Sequence, residues 1–247
     1  GDGFWSLLAF AMQMVLVLVT GFVLASSPFF KNNILKKIAI AVNSPTQAIM
    51  ATAFVSVIAC WINWGFGLVV GALLAKEIAR HNKGIDYRLI IATAYSGFVV
   101  WHAGFSGSIP LAIATPGGFS EELVGIIPTS LTIFAPFNLI ISAIIIITLP
   151  FVAKLMMPNE GEIVEIDPSL LIDEETATIE VNTPADKMEN SPILSMVIGA
   201  MGVAYIIYYF STKGFDLNLN IVNFIFMMLG LILHGTPRRY LTALAEA

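Results

Sequence analysis

The sequence has few charged residues and a single cysteine. Each of these shortages excludes some classes of protein. Charged residues make up 12% of the 247 residues, whereas hydrophobic residues make up 57%. A soluble domain carries about 25% charged residues, so this composition argues against a soluble globular enzyme. The apolar content also excludes a disordered chain. The single cysteine, Cys60, excludes a disulfide-built scaffold and any metal site made of several cysteines.

The apolar residues form several segments that are long enough to cross a membrane. A transmembrane helix needs about 20 mainly apolar residues to cross the hydrocarbon layer. We therefore predict an all-α polytopic membrane protein. Its simple spans are residues 4–26, 131–153, 193–210 and 221–236, and the first two contain no charged residue.

Residues 46–80 do not fit a simple span. This apolar segment of 35 residues is too long for one crossing and too short for two, which need about 40 residues and a turn. It is interrupted at residues 63–67, which include Asn63, Trp64, Gly65 and Gly67. We predict a re-entrant helical hairpin whose tip is formed by residues 63–67, called the hairpin tip below. The alternative is a helix contact that the glycines allow to be close.

Residues 87–115 are predicted to form a discontinuous transmembrane helix. We call its interruption, residues 101–108, the helix break; its candidate residues are Trp101, His102, Gly104, Ser106, Gly107 and Ser108. Irregular backbone at membrane depth is tolerated only where it is buried in protein or lines a cavity. His102 is a candidate hydrogen-bond donor or proton carrier. The alternative is a structural histidine bonded to a backbone carbonyl.

The placement of basic residues indicates the topology. Lysines follow the span 4–26, and a second basic cluster follows residues 46–80. If the hairpin returns to its own side, eleven of the twelve basic residues face one compartment, and only Lys213 faces the other. Lys and Arg are enriched in cytoplasmic loops, so that compartment is predicted to be the cytoplasm.

The chain is predicted to divide into three parts. Residues 1–157 form a first membrane repeat, residues 158–191 an acidic cytoplasmic linker, and residues 192–247 the start of a second membrane repeat. The linker holds ten of the seventeen acidic residues and is interpreted as solvated, with a candidate strand at residues 176–181.

The hairpin tip and the helix break are predicted to meet near the middle of the membrane and to bind a substrate. Helix ends leave N–H groups unpaired, and such ends form substrate sites in secondary transporters. The predicted spans carry no Lys or Arg at mid-membrane, which favours a singly charged anion. We expect no cofactor and no metal, a coupling ion that is H⁺ or Na⁺, contact with the lipid bilayer, no nucleic acid, and possible homo-oligomers.

Four motifs together resemble the bacterial short-chain fatty acid transporter family. They are GDGFWSLLAFAMQMVLVLVTGFVLASS at residues 1–27, NWGFGLVVGALLAKEIAR at 63–80, WHAGFSGSIPLAIATPG at 101–117 and HGTPRRYLTALAEA at 234–247. The resemblance implies uptake of short monocarboxylates such as acetate, butyrate or acetoacetate across the bacterial inner membrane. It also implies two inverted repeats, each with a re-entrant hairpin and a broken helix. Family members are longer, so the chain is expected to be an internal fragment.

Other functions remain open from the residues alone. A transporter of another organic anion, such as a dicarboxylate, and a sodium/proton exchanger are alternatives within transport. A more distant alternative is an intramembrane serine protease, because residues 104–107 read G-x-S-G and His234 lies on a later helix.

Overall fold

The computed structural model describes residue 5, residues 7–171 and residues 183–247, and its regular structure there is helical. The α-helices are α1 (Leu8–Ser26), α2 (Pro28–Phe30), α3 (Lys36–Ala41), α4 (Pro45–Ile62), α5 (Trp64–His81), α6 (Tyr87–Ser96), α7 (Ser108–Ala114), α8 (Glu121–Val124), α9 (Pro136–Leu155), α10 (Pro184–Glu189), α11 (Pro192–Lys213), α12 (Leu219–His234) and α13 (Pro237–Glu246). A π-helix covers Lys31–Leu35, and 3₁₀ helices cover Gly97–Ala103, Thr129–Leu131, Glu160–Glu162 and Pro168–Leu171. The candidate strand at residues 176–181 lies outside the described residues.

Within the described residues, five helical stretches are long and apolar enough to cross a membrane. They are α1, α4, the stretch Tyr87–Ala114, α9 and α11, and α12 is a shorter apolar helix. This pattern confirms the prediction of an all-α, multi-pass membrane protein.

Burial separates a central helix from peripheral ones. In an 18-residue window of each helix, 44% of the residues of α4 are buried inside the protein, against 17% of those of α9 and of α11. The peripheral helices expose apolar side chains such as Ile144, Ile147, Met196 and Met201. Large exposed apolar surfaces are typical of faces that contact lipid or another protein.

Two of the later spans are shifted relative to their predicted bounds. The span predicted at 131–153 begins at Pro136, because proline suits the first position of a helix and the residue before it is extended. The span predicted at 221–236 ends at His234, because Gly235 takes a φ of +77° that terminates the helix.

Residues 46–80 form two antiparallel helices, α4 and α5, separated by the single extended residue Asn63. Small residues pair across the hairpin: a Cβ added to Gly67 would overlap the Cys60 backbone, and one added to Gly71 would lie 3.0 Å from the Ser56 hydroxyl. The predicted helical hairpin is therefore present, but its turn needs one residue and not five. That the hairpin re-enters the membrane without crossing it stays a prediction.

Both ends of the hairpin lie at the end of the bundle that carries Lys36 and Lys76, called the basic end below. The Asn82 side chain, just after α5, donates to the Ala39 carbonyl of α3 at 3.2 Å. The Thr46 hydroxyl, at the start of α4, contacts the Met157 sulfur beyond α9 at 3.6 Å. The two basic clusters therefore lie on the same side of the bundle, as the topology requires.

Part of the acidic linker is attached to the basic end. The buried carboxylate of Asp86 accepts hydrogen bonds from Arg88 at 2.8 Å and from the Val164 N–H at 2.9 Å. The Arg80 guanidinium donates to the Leu171 carbonyl at 2.7 Å. The linker is therefore attached at Val164 and Leu171, while residues 167–170 stay exposed, and its role as a solvated linker between two membrane repeats stays a prediction. The hydrogen bond from Arg88 holds the pKa of Asp86 well below its usual range.

Candidate functional site

The hairpin tip and the helix break meet through reciprocal hydrogen bonds. The Trp64 N–H, in the first turn of α5, donates to the Ser106 hydroxyl at 3.0 Å. The Phe105 N–H donates in the other direction, to the Trp61 carbonyl of α4, at 2.8 Å. Free N–H and C=O groups at helix ends must find partners inside a membrane, where water is scarce. The helix break therefore supplies an acceptor for an N–H of the hairpin, and the hairpin supplies an acceptor for an N–H of the helix break.

Asn63 organises the start of α5. Its side-chain oxygen accepts from the Phe66 N–H at 2.9 Å, and its carbonyl accepts from the Gly67 N–H at 2.8 Å. Asparagine is among the preferred residues at this capping position. Because Asn63 and Ser106 already accept from the first N–H groups of α5, this helix end is largely satisfied by protein atoms.

The glycines of both interruptions make close contacts between helices. A Cβ on Gly65 would lie 2.8 Å from the Leu18 Cα of α1, and a Cβ on Gly104 would overlap the Trp61 backbone. A Cβ on Gly107 would lie 2.5 Å from the His102 carbonyl oxygen. These contacts, like that of Gly67 with Cys60, support the packing interpretation of the glycines.

Three buried N–H donors of residues 61–64 have no hydrogen-bond partner among the described residues. They are the indole nitrogens of Trp61 and Trp64 and the side-chain amide nitrogen of Asn63, and Asn63 is completely buried. A buried donor left unpaired costs about 1–3 kcal/mol, so such a cluster needs a physical reason. An acceptor that reaches one of these nitrogens would remove this cost for that nitrogen.

Aromatic rings surround the contact. The Trp61 and Phe105 rings lie 4.3 Å apart, and the Trp64 ring lies 5.9 Å from the Trp101 ring. Phe66 packs elsewhere, against Phe30, with ring centres 5.0 Å apart. The surroundings of the donors are therefore apolar and close-packed.

The predicted site residues are brought together only in part. Asn63, Trp64, Gly104 and Ser106 lie at the contact, Trp101 reaches it through the Trp64 ring, and Gly107 and Ser108 follow it as buried residues. His102 is exposed, and its ring lies beside that of Trp101, with ring centres 3.8 Å apart and ring planes tilted by 48°. Its place on the outside follows from the 3₁₀ helix, which turns neighbouring side chains to different faces.

Two features of the structure were not predicted from the sequence. One is the position of Trp61 at the contact, and the other is a second polar cluster, around Gln13 of α1. The Gln13 amide donates to the Asn220 side chain at 2.8 Å, and the Gln13 carbonyl accepts from Asn223 at 3.0 Å. Thr115 caps α12 by accepting from the Leu219 N–H at 3.2 Å. A small cavity of about 80 Å³ lies beside this cluster. An amide such as Gln13 in an otherwise apolar span was the available signal.

The two residues of the serine protease alternative have other partners. A ring nitrogen of His234 lies 2.8 Å from the Val23 carbonyl, and Ser106 accepts from Trp64. A catalytic serine and its base need a direct hydrogen bond of about 2.6–3.2 Å. The geometry therefore gives this alternative no support.

Comparison with known proteins gives a consistent result. The family described as short chain fatty acid transporter matches residues 1–247. A candidate short-chain fatty acid transporter of Escherichia coli K12 is 48% identical over 250 residues, which cover 100% of this chain and 57% of that protein. One from Haemophilus influenzae is 46% identical, again over 57% of its length.

The chain thus spans just over half the length of these relatives. No solved structure matches it. On the match along its whole length, the chain belongs to the short-chain fatty acid transporter family.

Proposed function

We propose that this chain forms part of a secondary transporter that moves short-chain monocarboxylates across the bacterial inner membrane. The observation that carries the proposal is that three N–H donors of residues 61–64, on Trp61, Asn63 and Trp64, are buried and unpartnered at the hairpin turn, which contacts the helix break. A carboxylate offers acceptors and no donors, so it is the complementary ligand for such a group.

The rings around the contact suit the rest of the substrate. A two- to four-carbon tail is small and apolar, and the rings of Trp64, Trp101 and Phe105 offer an apolar surface beside the donors. The hairpin tip and the helix break carry no Lys or Arg. Neutral donors without a fixed positive charge favour a singly charged acid over a dicarboxylate.

Access to the donors requires that the two interruptions separate. In the structure they are joined by the hydrogen bonds Trp64 to Ser106 and Phe105 to Trp61, which close the contact. In the proposed cycle, the hairpin and the broken helix part to admit the carboxylate and close again around it. Movement of discontinuous helices around a mid-membrane site is a general feature of secondary transporters. An H⁺ or Na⁺ gradient drives the cycle in this proposal.

The hairpin depth supports a site within the membrane. From the level of Lys76 to Trp64, α5 rises about 18 Å at about 1.5 Å per residue. The hydrocarbon layer is about 30 Å thick, so a hairpin that enters at Lys76 ends within it. This comparison supports the proposed re-entry.

The substitution Asn63→Asp tests the site, because it removes the unpartnered donor and keeps the oxygen that caps α5. Protein in proteoliposomes is assayed for uptake of labelled butyrate. We expect Asn63→Asp to lose uptake, because the carboxyl group replaces the amide donor and, where it is ionised, repels the substrate. The matched control is Asn218→Asp, whose oxygen caps α12 at the other polar cluster. Unchanged butyrate uptake by Asn63→Asp would remove the site assignment.

The same assay separates the transport alternatives. Acetate, butyrate and succinate are compared with and without imposed H⁺ and Na⁺ gradients. We expect gradient-driven uptake of acetate and butyrate and little uptake of succinate. Preferred uptake of succinate, or ion exchange without any acid, would favour one of the other transport functions.

A further inference from the structure

A basic cavity lies at the basic end of the bundle, between the π-helix and α5. Its volume is about 350 Å³. It is lined by Lys31, Asn32, Leu35, Lys36, Leu73, Lys76, Glu77, Arg80 and His81. Along α5, its wall at Leu73 and Lys76 lies about 14–18 Å from Trp64, so the cavity is separate from the proposed carboxylate site.

The π-helix Lys31–Leu35 places two of the lysines on one wall of this cavity. In an α-helix, residues five positions apart point about 140° away from each other, because each residue turns the helix by about 100°. In a π-helix, residue i+5 donates to the carbonyl of residue i and lies one turn above it. The Lys36 N–H donates to the Lys31 carbonyl in this way. Lys31 and Lys36 therefore share a face that an α-helix would have divided.

The acid in the lining is paired within its own helix. The Glu77 carboxylate lies 2.7 Å from Arg80 and 3.6 Å from His81. With His81 neutral, four basic residues and one acid line the cavity, which leaves three net positive charges. The apolar part of the cavity lining comes from Leu35, which is fully buried, and from Leu73.

We propose that this cavity binds a phosphate group. Several lysines around a space of this size match the charge and the acceptor oxygens of a phosphate. The group belongs to an anionic phospholipid headgroup or to a soluble phosphate compound. Basic pockets between transmembrane helices at the cytoplasmic side are a known arrangement for anionic headgroups. The proposal is independent of the transported substrate.

The test measures binding through thermal unfolding of the purified protein in neutral detergent. Phosphatidylglycerol, phosphatidylcholine and inorganic phosphate are titrated separately, and the midpoint of unfolding is recorded. The test variant is the double substitution Lys31→Gln and Lys36→Gln. The matched control is Lys37→Gln, which removes an exposed lysine next to Lys36 that does not line the cavity.

We expect phosphatidylglycerol to raise the unfolding midpoint of the wild type and of Lys37→Gln. The double variant should need about thirtyfold more of the lipid, since each lysine near an anionic headgroup contributes about fivefold in affinity. The same lysine-dependent rise with inorganic phosphate would support the site and identify a soluble phosphate as a source. No rise with either anion, an equal rise with phosphatidylcholine, or an unchanged response of the double variant would overturn the proposal.

Discussion

The backbone N–H of Trp64 donates a 3.0 Å hydrogen bond to the hydroxyl of Ser106, a residue that is completely buried. The bond joins the first turn of α5 to the interruption of the next membrane helix, 42 residues further along the chain. Together with the bond from Phe105 to Trp61, it makes the two interruptions one structural unit.

Replacing Ser106 by alanine should destabilise this unit. The Trp64 N–H would remain buried without its acceptor, which costs about 1–3 kcal/mol. We expect a lower midpoint of thermal unfolding and reduced butyrate uptake. The control is Ser96→Ala, whose hydroxyl donates to the Thr93 carbonyl one turn earlier in the same helix. Equal stability of the two variants would contradict the role given to Ser106.

Gly104→Ala should prevent the helix break from packing against α4. The added Cβ would overlap the Trp61 backbone, and backbone atoms cannot move aside as a flexible side chain can. Overpacking in a close-packed interior costs about 1–3 kcal/mol and sometimes more. The measurement is the yield of monodisperse protein in size-exclusion chromatography. Gly161→Ala is the control, because its Cβ would enter open space. Equal yields would show that the contact is not required.

Asp86→Asn should remove a pH dependence of stability. The pKa of Asp86 is lowered, chiefly by the hydrogen bond from Arg88, so its ionised form is favoured in the folded protein. Its contribution is therefore present above the unfolded pKa of about 3.9 and is lost as the pH falls towards the lower, folded pKa. We expect the wild type to lose more stability than Asp86→Asn between pH 5 and pH 3.

Thermal unfolding in detergent over this pH range measures the effect. Glu122→Gln, on the short helix α8, is the control for removing a carboxylate. If the wild type and Asp86→Asn lost stability equally between pH 5 and pH 3, the Asp86 carboxylate would add no pH-dependent stability.

Cysteine labelling should place both ends of the hairpin on one side of the membrane. In a Cys60→Ser background, cysteines at Asn43 and Lys83 should react with an impermeant thiol reagent from the same side. Both residues are exposed at the basic end, before α4 and after α5. A cysteine at Glu122 should react from the opposite side. Reaction of Asn43 and Lys83 from opposite sides would be incompatible with the topology.

Much of the architecture was predictable because it depends on local properties. The length of an apolar segment sets whether it crosses a membrane, and Asn63 with its neighbouring glycines marked the place where residues 46–80 turn. The one-sided placement of basic residues indicated that both ends of the hairpin share a side, and the contact of Asn82 with Ala39 agrees. These inferences need no knowledge of which helices touch.

The details of the candidate site were less predictable because they depend on how α4, α5 and the broken helix are aligned. His102 and Ser106 are four residues apart and looked equivalent, yet one is exposed and the other is buried. Trp61 was missed because a tryptophan before a turn has no local pattern that distinguishes a binding role.

The sequence by itself determined that this is a multi-pass membrane protein, which segments are long and apolar enough to cross a membrane, and where two apolar segments are interrupted. Those outcomes follow from hydrophobic length, charge and capping within a few residues of each position. Only the tertiary structure decided that Ser106 pairs with Trp64, that the glycines serve close packing, and that Lys31 and Lys36 share a face. The reason is that these relationships arise from alignment between helices and from one π-helical turn, and a pattern along the chain does not encode either.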